Sequence, residues 1–168
     1  MSSDIDESFV EAIAAALDET MLEAIIVGNT AAILQGAPVL TQDVDLLIRD
    51  TERNRQKLAA FARAIGGTRP ALISDLSRTL RIYGASTPID VLFNQLSGGL
   101  RFESLRTRAS KRIVGSRTVT LASLEDIIKS KMAAGRDKDR AVLPILQGTL
   151  KAKLALEAER PKGPGRKR

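Results

Sequence analysis

The sequence contains no cysteine, no histidine and no tryptophan, and aromatic residues make up only 3% of it. Without cysteine there is no disulfide framework, no thiolate zinc site and no cysteine nucleophile. Without histidine the Ser-His and Cys-His triads fall away, together with almost every catalytic zinc arrangement. What is left for chemistry is carboxylates, lysine, arginine and hydroxyls, a set that suits oxygen-bound cations such as magnesium and suits phosphate chemistry. One tyrosine and four phenylalanines are too few and too scattered for a base-stacking surface. The core must therefore be built mostly from Leu, Ile, Val and Ala. No apolar run approaches the roughly 20 residues that span a bilayer. The opening MSSDIDESFVEA carries four acids before any base, the reverse of a signal or transit peptide. The expectation is a cytoplasmic protein with no membrane contact.

The 168 residues are 43% hydrophobic and 27% charged, ordinary globular usage that favours a single domain. The net charge of +6 is unevenly spread. Residues 151–168 hold seven Lys or Arg against Glu157 and Glu159, so residues 1–150 carry only +1. The basicity belongs to a tail, residues 158–168, whose composition reads as disordered and which could contact nucleic acid in a salt-dependent way.

Apolar residues at 9, 10, 13, 14 and 17 predict an N-terminal helix within residues 1–20. Leu22–Val27 reads as a buried strand ending at Gly28, Thr30–Leu34 as a short helix, and Val44–Ile48 as a second strand. Asp50 and Thr51 are natural caps for a helix over 52–65 that Gly66-Gly67 stops. Two more strands are expected at Thr79–Tyr83 and Ile89–Phe93, a helix over 100–110, and a short strand at Val119–Leu121. Ser123 caps a helix that ends at Gly135, and Pro144 suits the first turn of a last helix. This order predicts an α+β domain over residues 21–157: a small mixed sheet flanked by helices.

Three aspartates sit where strands should be apolar. Asp43 and Asp45, two apart, point to the same side of an extended segment that runs into Leu46-Leu47-Ile48. Asp90 lies inside Pro88-Ile89-Asp90-Val91-Leu92-Phe93. Aspartate is disfavoured in strands, and burying an unpaired carboxylate costs several kcal/mol or forces it to neutralise. A shared divalent cation would remove that penalty; a place at strand ends, in water or beside a basic residue, would also remove it. The Gly28-Asn29 turn upstream places backbone N–H groups where phosphate oxygens could be held.

Ile26-Val27-Gly28-Asn29, then Thr41-Gln42-Asp43-Val44-Asp45-Leu46-Leu47-Ile48, then Ile89-Asp90-Val91-Leu92 together resemble a minimal nucleotidyltransferase of the DNA polymerase beta-like superfamily. The stretch from Leu121 to Asp139 is similar to the branch containing abortive-infection and toxin–antitoxin nucleotidyltransferases. The resemblance covers about residues 20–145 of the chain. It implies that Asp43, Asp45 and Asp90 are catalytic and bind two magnesium ions, with Asp90 also assisting deprotonation of the attacking hydroxyl. It implies that Gly28 and Asn29 hold the triphosphate of an NTP, ATP included. Lys131 and Arg136 would contact phosphate from the following helix, with Thr41 and Asp139 as accessory positions.

The reaction so implied is magnesium-dependent transfer of a nucleoside monophosphate from an NTP to a hydroxyl on an RNA end, a protein side chain or a small molecule. The branch adds a toxin–antitoxin or phage-defence setting and a partner protein encoded nearby. Two departures favour a different class of function, a catalytically weak relative acting as an antitoxin-like or nucleic-acid-binding module. Asn29 stands where the family has Gly or Ser, and the last motif reads Arg140-Ala141-Val142-Leu143 where a second Asp is usual.

Overall fold

The computed structural model describes residues 5–161 and 163. Asp6 accepts a hydrogen bond from the Ser8 N–H and so caps helix α1 (Glu7–Thr20), which buries Phe9, Val10, Ile13 and Ala14. Met21 ends it in a left-handed conformation, so the expected strand at Leu22 starts later, as β1 (Ile25–Val27). Leu22 is still buried, with its N–H bonded to the Leu17 carbonyl.

Helix α2 (Gly28–Ile33) follows at once, two residues earlier than the sequence suggests, so Gly28 and Asn29 form its first turn. Strand β2 (Val44–Ile48) and helix α3 (Glu52–Ala64) lie as read from the sequence, with Thr51 accepting from the Asn54 N–H as the cap. Asp50 is not the cap: its carboxylate is paired with Arg55.

The two strands expected at Thr79–Tyr83 and Ile89–Phe93 form as β4 (Leu80–Ile82) and β5 (Ile89–Phe93). Three two-residue strands escaped the sequence reading: β3 (Ala71–Leu72), β6 (Gln95–Leu96) and β7 (Leu100–Arg101). Runs this short have no periodicity to detect. The helix expected over 100–110 shrinks to α4 (Phe102–Arg108), because Ser110 already belongs to β8 (Ser110–Val114). That strand pairs with β9 (Arg117–Leu121) across Gly115-Ser116. Its Lys111 and Arg112 had masked it, yet such charges are what an edge strand carries.

Helix α5 (Leu124–Ala134) is capped by Ser123 and closed by a left-handed Gly135, as expected. Its Met132 is 60% exposed and not part of the core. Helix α6 (Asp137–Glu159) corrects a second expectation: it begins seven residues before Pro144, so the proline lies in the helix interior. There it leaves the Arg140 carbonyl without its helical donor, a carbonyl on an exposed residue that water can reach. The helix runs through Glu159, into the segment read as tail; residues 162 and 164–168 of that segment lie outside the described residues.

Seven strands form one mixed sheet in the order β3-β4-β5-β2-β1-β9-β8, and β6 and β7 form a separate pair. β2 runs parallel to β5 and antiparallel to β1, while β4 is antiparallel to β5. Helix α1 packs on α3 and on β8 and β9; α2 packs on β1, β2 and α5, and α5 on α6. β1 is buried along its whole length, as are Val44 and Leu46 to Ile48 of β2. Strands covered on both sides read as continuous apolar runs, which is how they stood out in the sequence. No helix among the described residues is long and apolar enough to cross a membrane.

Candidate active site

The register of the sheet assembles the site. Asp45 of β2 lies directly opposite Asp90 of β5, Arg81 of β4 lies opposite Asp90, and Val27 of β1 lies opposite Asp45. Directly paired residues share a face, so Arg81, Asp90, Asp45 and Val27 form one row across four strands. Two residues along, Asp43 and Leu92 lie on the same side. The acids far apart in sequence thus converge: one oxygen from each of Asp43, Asp45 and Asp90 lies within 4.8 Å of the others.

Helix α5 closes the row from above with Ile127, Ser130, Lys131 and Ala134, spaced as neighbours on one helix face. Together with Ser77, Thr79, Leu96 and Ser97 they enclose a cleft of about 570 Å³.

Local hydrogen bonds hold the acids in place. The hydroxyls of Thr30 and Thr41 both donate to the Asp43 carbonyl, at 3.1 and 2.7 Å, which fixes the turn entering β2. Gly28 has φ +64°, and a Cβ there would lie 2.3 Å from Asp45 Oδ2. Only glycine allows α2 to start this close to the carboxylate. Asn29 donates its amide nitrogen to the Leu40 carbonyl at 2.9 Å, steadying the loop before Asp43. Its Oδ1 is buried with no partner among the described residues.

Charge within the row is unbalanced. Arg81 donates from Nε to Asp90 Oδ1 at 2.5 Å and from Nη2 to Asp90 Oδ2 at 2.7 Å, and reaches Asp43 Oδ2 at 3.3 Å. The hydrogen bonds to Asp90 foremost, with its charge and Tyr83 beside it, raise the pKa of the guanidinium further against the effect of burial, so it stays charged. Asp45 has no such partner among the described residues. Part of its surface is exposed, but protein atoms crowd its carboxylate, and burial first, then the charges of Asp43 and Asp90, push its pKa up to about 7. Lys131 and Lys138 pull it partly back.

Lys131 has its side chain only 12% exposed, so it points into the cleft and not to solvent, with Nζ 3.4 Å from Asp139 Oδ1. Asp139, fully buried, also accepts from Arg136 Nε at 2.6 Å. Burial would raise the Asp139 pKa, but Arg136 and Lys131 together more than offset it and hold it low. The structure thus brings Gly28, Asn29, Thr41, Asp43, Asp45, Asp90, Lys131, Arg136 and Asp139 to one locality, and adds Arg81 and Lys138. Lys138 left no signal in a basic stretch. Arg81 had one: in Leu80-Arg81-Ile82 a charged residue interrupts a strand, as the three aspartates do.

No protein-family model and no curated protein matches the sequence. Solved structures do. The solution structure of the antibiotic-resistance factor ANT(2'')-Ia superposes with a TM-score of 0.63 at 18% identity, covering 90% of this chain and 91% of that one. The same protein crystallised with adenylyl-2''-tobramycin gives 0.62 at 19% identity, with coverages of 90% and 92%. The lincosamide antibiotic adenylyltransferase LnuA, bound to lincomycin, gives 0.63 at 12% identity, covering 87% of this chain and 99% of LnuA. The fold is that of a minimal nucleotidyltransferase.

Proposed function

We propose that this chain is a magnesium-dependent nucleotidyltransferase that moves a nucleoside monophosphate from an NTP, ATP foremost, to a hydroxyl. The observation that carries the reading is the carboxylate row: oxygens of three acids within 4.8 Å, opposed by one arginine, on this fold. The donor set fits a hard divalent cation. It consists of oxygens alone, and it holds more negative charge than the protein itself balances.

Asp43, Asp45 and Asp90 would hold two magnesium ions, which when bound supply charge stabilisation for the attacking and leaving oxygens of an in-line displacement. The remaining work falls to the chain. Gly28 and Asn29 receive phosphate oxygens at the start of α2, and Lys131 and Arg136 face them from across the cleft, both steadied by Asp139. Asp90 takes the proton of the acceptor hydroxyl as that oxygen bonds to the α-phosphorus. The bond from the α-phosphorus to the bridging oxygen breaks, and pyrophosphate leaves with its electron pair. Outside the acids and the four basic side chains, the wall carries Ser77, Thr79, Leu92 and Ser97, which suits a hydroxylated small molecule. ANT(2'')-Ia, crystallised with adenylyl-2''-tobramycin, and the lincosamide antibiotic adenylyltransferase LnuA support a small acceptor.

One observation favours the alternative, a catalytically weak binding module: the Asn29 amide nitrogen is already donated to Leu40. The intact carboxylate row outweighs it, because backbone N–H groups at the same turn can still serve phosphate. Calorimetric and thermal-shift titration with each NTP, with and without magnesium, on wild type and Asp45→Asn, tests the reading. One NTP should raise the melting temperature only with magnesium and intact Asp45. Indifference of both proteins to every NTP at millimolar concentration would overturn it. Transfer of labelled NTP onto small molecules, RNA and protein then assigns the acceptor.

A further inference from the structure

Arg81 stands in the middle of the proposed metal site. Both oxygens of Asp90 and one of Asp43 are committed to its guanidinium, so a cation held by those carboxylates competes for the same lone pairs. The strand register leaves Arg81 no room to avoid them, since it is locked opposite Asp90 in the β4–β5 ladder. Its side chain is only 25% exposed. Once separated from the two acids it would be a largely desolvated, unpaired cation, which is costly. Tyr83, half exposed with its ring 5.8 Å from the guanidinium, offers a resting place but no counter-charge. The anion able to supply that charge is the triphosphate of the incoming nucleotide.

We propose that Arg81 is an internal counter-ion that is exchanged on binding: it yields Asp43 and Asp90 to the divalent cation and takes the NTP phosphates instead, so that metal and nucleotide enter together. This rests on the metal–NTP reading above and adds a positioning residue to it. The physical content is a coupling between two ligands through one side chain. Metal alone must strand Arg81, nucleotide alone must pull it from two carboxylates, and both together leave every charge paired.

The test is manganese binding, followed by electron paramagnetic resonance on the full chain, with and without α,β-methylene ATP as a non-transferable nucleotide. Wild type, Arg81→Gln, Arg81→Lys and Asp45→Asn are compared. Manganese alone should bind Arg81→Gln about tenfold or more tightly than wild type, because charge-assisted hydrogen bonds no longer oppose it. Arg81→Lys, which keeps the charge without the two-pronged fork, should fall between them. Addition of the nucleotide should tighten manganese strongly in wild type and much less in Arg81→Gln. In wild type with magnesium and nucleotide, the Arg81 Nε–H resonance should move, assigned by its loss in Arg81→Lys.

Equal manganese affinity and equal nucleotide coupling in wild type and Arg81→Gln would overturn the exchange. The loss of manganese binding in Asp45→Asn would in that case leave the metal reading standing. If Arg81→Gln does not fold, an unmoved Arg81 resonance in wild type overturns the proposal on its own. Absence of manganese binding in every variant would overturn both.

Discussion

Asp126 and Asp139 are both fully buried, and each is matched by cations from its own neighbourhood. Arg108 reaches Asp126 with two donors at 2.9 and 3.1 Å, and Ser123 caps the same turn. Arg136 and Lys131 do the equivalent for Asp139. By contrast, Asp43 and Asp90 share Arg81, and Asp45, with no ion-pair partner among the described residues, is left with a pKa near 7. Burial alone therefore does not mark a functional carboxylate. The first pair are solved electrostatic problems that lock α4, α5 and α6 together. The row on the sheet is an unsolved one, and its excess negative charge is what calls for a ligand.

The sharpest way to break this contrast is to remove one charged group from each side. Asp43→Asn should lower NTP transfer by at least about a thousandfold, the several kcal/mol a divalent ion contributes to the transition state, with an unchanged circular dichroism spectrum. Arg108→Ala should do the reverse, leaving metal affinity alone while moving the urea midpoint clearly downward, because the fully buried Asp126 loses its two-donor partner.

Asp45→Asn sharpens the comparison through pH. The folded carboxyl sits near 7 against 3.8 for a solvent-exposed aspartate, so protonated Asp45 suits the fold and ionised Asp45 opposes it. Without divalent ions, wild type therefore loses this contribution as pH rises from about 4 through about 7. The variant should match wild type below pH 4 and exceed it above pH 7 by about 1–4 kcal/mol, read from urea melts across that range.

Gly28→Ala puts a methyl against Asp45 Oδ2 at a positive φ. It should cost about 1–2 kcal/mol of stability and displace the carboxylate, seen as weakened manganese binding. Lys131→Met should have the smallest effect, about tenfold in NTP affinity with stability nearly unchanged, since Arg136 still pairs with Asp139.

Much of this protein was readable one residue at a time. The apolar runs of β1 and β2, the caps Thr51 and Ser123, and the left-handed Gly135 are local choices whose physics spans a few residues. The acids stood out because aspartate does not belong in apolar strands. Helix α6 shows the limit of such local rules: a proline that ordinarily opens a helix sits inside one, held by a fully buried Leu146 and by the Asp139 ion pairs.

What only the tertiary structure decided is which residues oppose one another. Arg81 is nine residues from Asp90 and thirty-eight from Asp43, and its role appears once β4, β5 and β2 are in register. The same holds for Asn29, spent on Leu40, and for the two threonines that hold the Asp43 carbonyl. Composition and spacing specify which charges a segment carries. Whether a charge is paired, stranded or waiting for a ligand depends on strand order and register, which arise from contacts distant in sequence.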